Sequence, residues 1–286
     1  GLKGFLALGI VFHHLSQWVT TGTEFSNFGY MGTYIVSVFF FLSGYGLYVQ
    51  NERKENYLDN FLVKRLSKIL IPFIIISSIY LIYRSINGQV LSSSFFDLFK
   101  KGSTVIYNGW FVNIIILMYI FFYISFRVFS NKTIAILVNT LFIIFYIVLA
   151  IKLGYGFWWY NSSLPFVLGL VWAKNKNYID EILNKYYFII LVCITGLLFI
   201  FHQYDIVYKK LHLVDSYSYA FLANIDNVIF TIFLYMIHGL IMSIFGKYFV
   251  TSRLNDVIFT TSVLIVSIFL AWLINLIIKK ISIKTT

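Results

Sequence analysis

The chain has 286 residues, is 60% hydrophobic, 21% aromatic and only 12% charged, and carries a formal charge of +11. Apolar runs near 20 residues long recur from end to end, each able to cross a hydrocarbon core about 30 Å thick, which excludes a chain of soluble domains. The lysines and arginines stand in short clusters between those runs, a pattern of anchoring to anionic membrane lipid rather than of nucleic-acid binding. A single cysteine, Cys193 inside an apolar run, excludes an intrachain disulfide and a cysteine metal cluster, and reads as a packed core thiol.

The first run begins Leu2-Lys3-Gly4 and ends near Phe12-His13-His14. Ionisable groups at membrane depth are costly, so their presence is a functional hypothesis by default. Lys3 and His14 are eleven residues apart, about 1100° of helical rotation, which sets them within roughly 20° on one face and about 16 Å apart along the axis. His13 points about 100° away. The plainer reading is a buried histidine satisfied by a hydrogen bond. The run lacks a small-residue cleavage site and reads as a retained span rather than a signal peptide, with a short piece expected before Gly1 because the initiator Met is absent.

Hydropathy predicts spans at 2–19, 33–50, 66–86, 109–127, 133–152, 156–173, 187–202, 224–246 and 256–278, with a tenth, weaker crossing or re-entrant piece in 204–223. The expected architecture is all-α, a polytopic transmembrane bundle of nine to ten spans forming one domain over 1–286. Segment 51–68 carries Arg53, Lys54, Lys64, Arg65 and Lys68, whereas 20–32 has no Lys or Arg, so the positive-inside rule places 51–68 and the N-terminus in the cytoplasm. His14 then sits in the outer half of the membrane.

Span two carries Phe40-Phe41-Leu42-Ser43-Gly44, where small residues allow close helix packing or an opening of the backbone toward a ligand. Arg65 and Lys68 are neighbours on one helical face at the cytoplasmic surface. They suit phosphate binding, or ordinary anchoring to lipid headgroups. Pro72 enters the following apolar run. Trp110 opens span four, as an interfacial belt residue or a surface on which a sugar stacks. Asp226 lies near the start of span eight, and His238 lies deep in it, after Tyr235. None of the five histidines forms an i, i+4 pair with another, and no metal site is expected.

Four of these pieces, in this order, resemble the acyltransferase family 3 membrane proteins, which O-acylate cell-surface carbohydrates. The family's Arg/Lys, ten residues, His matches Lys3 to His14. Its Phe-Phe-x-x-Ser-Gly resembles Phe40 to Gly44, with the aromatic pair displaced by a residue. Its Arg-x-x-Arg before a proline-bearing helix resembles Arg65 to Lys68 with Pro72, and its Tyr-x-x-His resembles Tyr235 to His238. Lysine stands at 3 and 68 where the family more commonly has arginine.

The resemblance implies cytoplasmic acetyl-CoA as donor substrate and a carbohydrate hydroxyl outside as acceptor, in a bacterial cytoplasmic membrane. It implies that Lys3, Arg65 and Lys68 hold the acyl-CoA and that His14 is catalytic, as general base or as transient carrier of the acyl group. Glu24 is the candidate partner that orients His14, while Ser43, Trp110 and His238 line the substrate cavity. Two rival readings stand beside this one. An acyltransferase-like exporter of surface polysaccharide would need no base at His14. A polytopic structural protein would bind no CoA.

Overall fold

The computed structural model describes residues 2–18, 28–29, 31–88, 104–106, 109–245, 265 and 269, and for 2, 3, 5, 18 and 238–245 the backbone alone. The described residues are helical, without strands, as hydropathy demanded: in a bilayer a helix satisfies its own backbone polar groups. The helices are α1 (Leu2–Trp18), α2 (Gly32–Arg53), α3 (Phe61–Ile86), α4 (Trp110–Val128), α5 (Lys132–Lys152), α6 (Leu164–Lys174), α7 (Lys176–Lys210) and α8 (Tyr217–Phe245), with a 3₁₀ turn at Phe157–Trp159.

Six of these, α2, α3, α4, α5, α7 and α8, are long and apolar enough to cross a membrane. α1, with 17 residues, reaches about 26 Å, the lower limit for a span. The described residues thus do not reach the nine to ten crossings expected, and the last predicted span, 256–278, lies outside them apart from residues 265 and 269. No separate crossing exists in 204–223. α7 runs on to Lys210, and six residues containing His212 at φ 55° lead directly into α8. α7 has 35 residues, about 52 Å if straight, and non-helical backbone at Tyr186 divides it close to where the predicted span begins.

The helices gather into two compact units. The first comprises residues 1–39, 175–213 and 222–286, so it holds α1, the first turns of α2, α7 and most of α8. Its core is built by Ile194 and Leu198 of α7 against Ile229, Phe233 and Met236 of α8. The Tyr187 hydroxyl closes this pair by donating to the Met236 carbonyl at 2.6 Å. Cys193 is exposed rather than packed, because the buried stripe of α7 runs through Ile194 and Leu198.

The second unit comprises residues 40–174 and 214–221. Its cationic end is laced by side-chain contacts: Lys132 to Glu52 at 2.5 Å, Arg127 to Asp59 at 2.9 Å, and Lys174 to the Thr133 hydroxyl. The N-terminus of α5 is capped by Asn131, whose side chain accepts from the backbone of Thr133 and Ile134 at 2.9 and 3.3 Å. α3 buries Phe61 at its start, then presents Ile71, Ile74, Ile75, Ile79 and Ile82 outward as a lipid-facing surface.

The segment expected as a crossing at 156–173 returns along α5 from its end to its start, but as a broken crossing of which only the second half is α-helix. α6 has only 11 residues, about 16 Å, and its last residue, Lys174, stands level with the start of α5. Its first residue therefore lies only about halfway along the roughly 30 Å of α5. Between the two helices, Trp159, Tyr160, Asn161, Ser162 and Ser163 are each no more than 2% exposed, and the Tyr146 hydroxyl donates to the Trp159 carbonyl at 2.8 Å. Gly154 at φ 72°, Asn161, two serines and Pro165 break the helix that hydropathy alone predicts. Non-helical backbone at this depth is tolerated because it is enclosed in protein.

Candidate functional site

In the first unit the histidine pair is held by a residue that the sequence reading passed over. The His13 Nδ1–H donates to the Phe28 carbonyl at 3.2 Å, and the Gln17 amide donates to His13 Nε2 at 3.2 Å. The other end of the same amide accepts from His14 Nδ1–H at 3.2 Å. One glutamine thus bridges two imidazoles whose centroids lie 5.2 Å apart. Both nitrogens of His13 are engaged. With the Gln17 amide oxygen as partner of Nδ1, the neutral His14 tautomer that makes this bond has its lone pair on Nε2.

Gly32 of α2 makes room for this arrangement, since a Cβ there would lie 2.7 Å from the His13 ring carbon Cδ2. Gln17 follows His13 by four residues and His14 by three, the helical spacing at which side chains meet. Lys3 lies eleven residues before His14 on the same helix, with its backbone alone described; Glu24 falls outside the described residues. His238 lies on α8, again with the backbone alone described.

In the second unit two expected site residues come together around a tyrosine. The Tyr119 hydroxyl of α4 is hydrogen-bonded with Ser43 of α2 and lies within electrostatic reach of Arg65 and Tyr57. Arg65 donates from Nη2 and Nε to the Tyr57 hydroxyl at 2.6 and 3.2 Å. Phe61, buried between Tyr57, Tyr119, Phe122 and Tyr123, fixes the start of α3 and with it the position of Arg65 one turn later. Burial pushes the Tyr57 phenol above its ordinary range, opposed by the hydrogen bond and charge of Arg65, so it stays a neutral hydroxyl. Lys68, one turn beyond Arg65, is exposed. Pro72 lies inside α3 rather than at its start, and it deprives the Lys68 carbonyl of its helical donor.

The Ser43-Gly44 step serves helix packing. A Cβ on Gly44 would collide with the Phe166 carbonyl of α6, and one on Gly169 would meet the Phe41 carbonyl and, at 2.7 Å, the Tyr45 nitrogen. Two glycines thus let α2 and α6 cross backbone to backbone. Trp110 is half-buried at the head of α4, edge-on to Phe111, which stacks on Phe40 at 5.2 Å. No signal in the sequence singles out Tyr57 or Tyr119 among 22 tyrosines.

Six helices long and apolar enough to cross a membrane, a close glycine crossing between two helices and a broken crossing beside α5 define a multi-pass helical membrane protein. The sequence model of the family 3 acyltransferase domain matches residues 1–234, and the chain belongs to that family: it is a membrane acyltransferase. The matched stretch holds the first three motifs and ends just before Tyr235. No curated protein and no solved structure matches the chain.

Proposed function

We propose that the protein moves an acetyl group from cytoplasmic acetyl-CoA to a hydroxyl of an extracytoplasmic polysaccharide or cell-wall glycan in a bacterial plasma membrane. The observation that carries this reading is the His13–Gln17–His14 bridge, which holds an imidazole with its lone pair on Nε2 inside an apolar helix. In the direct route, His14 Nε2 takes the proton of the acceptor hydroxyl as its oxygen attacks the thioester carbonyl. The tetrahedral intermediate collapses with loss of the CoA thiolate, which recovers the proton from the imidazolium. The products are the acetyl ester and free CoA thiol.

The donor end has matching chemistry. Arg65 and Lys68 hold phosphates of CoA, the arginine by its planar fork and the lysine as a point charge, and Lys3 adds a third cation. The cationic end of the second unit gathers Arg53, Lys54, Lys64, Arg127, Lys132 and Lys174, which supports a cytoplasmic placement by the positive-inside rule. Ser43, with Tyr119, lies beside the Arg65 group; Trp110 and His238 are assigned to the substrate path, and Glu24 to orienting His14. Apolar walls keep water from the thioester.

The test is transfer of label from acetyl-CoA to surface glycan in cells carrying the intact protein or His14→Ala. A fall of about 10²- to 10⁴-fold at equal protein level is expected for loss of a general base. Unchanged label removes His14 from the mechanism. Glycan that reaches the surface without label in either strain points to export.

A further inference from the structure

At the cationic end of the second unit, Asp59 pairs with Arg127 and Glu52 with Lys132, whereas Arg65 forms no ion pair among the described residues. Its partner is a neutral phenol. The Tyr57 hydroxyl accepts from Arg65 Nη2 at 2.6 Å and from Nε at 3.2 Å, and the guanidinium carbon lies 5.7 Å from the centre of the Tyr57 ring. Nε and Nη2 form the side edge of the guanidinium. The end edge, Nη1 with the second hydrogen of Nη2, meets no acceptor among the described residues.

The turn between α2 and α3 is shaped to make this contact. Asn56 at φ 51° and Asn60 at φ 57° bracket Tyr57 in the left-handed region, which asparagine tolerates better than most side chains. Inside the turn the Asp59 nitrogen donates to the Asn56 carbonyl at 3.0 Å, and the Phe61 nitrogen to the Leu58 carbonyl at 3.1 Å. The Tyr57 ring meets the buried Phe61 edge-on at 5.4 Å. Tyr57 is thus fixed by the turn and the core, independently of Arg65. Arg65 itself is half-buried, with Lys64 and Lys68 exposed.

A guanidinium loses rotamer freedom when it grips a ligand, and a neutral holder removes that freedom in advance without cancelling the charge. A carboxylate in place of the phenol would orient the fork but neutralise it. The edge left over offers two parallel N–H donors, the geometry that matches two oxygens of a phosphate.

We propose that Tyr57 is a positioning residue: it occupies the Nε–Nη2 edge of Arg65 and so turns the Nη1–Nη2 edge toward a phosphate, which that edge grips with two hydrogen bonds. Assigning the phosphate to CoA rests on the acetyl-CoA reading. A lipid headgroup presents the same chemistry, and the experiment separates the two.

The experiment is equilibrium dialysis of the purified full chain in maltoside micelles against labelled CoA, pyrophosphate and dihexanoyl-phosphatidylglycerol. Wild type is expected to bind CoA more tightly than the lipid. Tyr57→Phe, which keeps the ring and loses the hydroxyl, should weaken CoA and pyrophosphate alike, about three- to tenfold. Arg65→Lys keeps a charge, hence a measurable affinity, and should weaken CoA about tenfold. The double variant should bind no more weakly than Arg65→Lys alone, because Tyr57 acts only through the fork. A merely structural Tyr57 would lower affinity equally in both backgrounds, so this comparison decides even where Tyr57→Phe lowers the thermal midpoint. CoA binding that is indifferent to Tyr57→Phe, or a loss that persists in the Arg65→Lys background or spares pyrophosphate, overturns the proposal and leaves the acetyl-CoA reading standing. Tyr57-dependent binding of pyrophosphate or of the lipid, without binding of CoA, leaves the positioning role standing and refutes the acetyl-CoA reading. Wild type that binds none of the three overturns both.

Discussion

Gln17 offers the sharpest test of the histidine arrangement, because it touches both rings and nothing else in the proposed chemistry. Replacing it with Ala removes the acceptor for His14 Nδ1–H and the donor to His13 Nε2, both at 3.2 Å. Gln17 is exposed, so truncation opens no cavity and leaves no buried polar group unpaired. The loss is that of an ordinary net hydrogen bond, about 1 kcal/mol, which is roughly a fivefold change in the population of the productive tautomer. His13 keeps its bond to the Phe28 carbonyl, and the helix keeps its length. Gln17→Ala is therefore expected to lower kcat about three- to tenfold with KM for acetyl-CoA unchanged. Gln17→Glu, which retains an acceptor for His14, should lie closer to wild type than Ala does. Steady-state acetyl transfer in membrane vesicles reads both constants. An unchanged kcat in Gln17→Ala would show that the tautomer does not matter to the rate. A loss as large as that of His14→Ala would show that Gln17 acts in the chemical step itself.

Arg65→Lys keeps the charge but loses the two-pronged hold on the Tyr57 hydroxyl and the fork that grips phosphate, so KM for acetyl-CoA should rise about tenfold with little change in kcat. An equal fall in kcat would place Arg65 in the chemical step. Gly44→Ala forces α2 from the Phe166 carbonyl and should destabilise the second unit by about 1–3 kcal/mol, seen as faster thermal inactivation in detergent. Equal half-lives would mean that the helices separate without penalty.

The sequence by itself determined the class of fold, its helices and its family. Hydropathy fixes helices because a bilayer leaves the backbone no outside partner, and length then sets which runs cross. Three ordered motifs within residues 1–234 were legible because each is local, a spacing on one helix. Gln17 was equally local, at helical spacing from both histidines, and would have been found by asking what each imidazole could reach on its own helix.

Other features required tertiary structure. That the return along α5 is broken, with α6 as its only α-helical part, follows from how 157–163 is buried against α5, which hydropathy does not register. Tyr119 meets Ser43 and comes within reach of Arg65 only because α2, α3 and α4 pack around Phe61. The Tyr34 hydroxyl donates to Asp226, 192 residues away in the chain. A tyrosine in an apolar run carries no mark of the partner it will meet. Which faces of the helices pack together decides that partner, because the period of each helix states only what it buries and not against what.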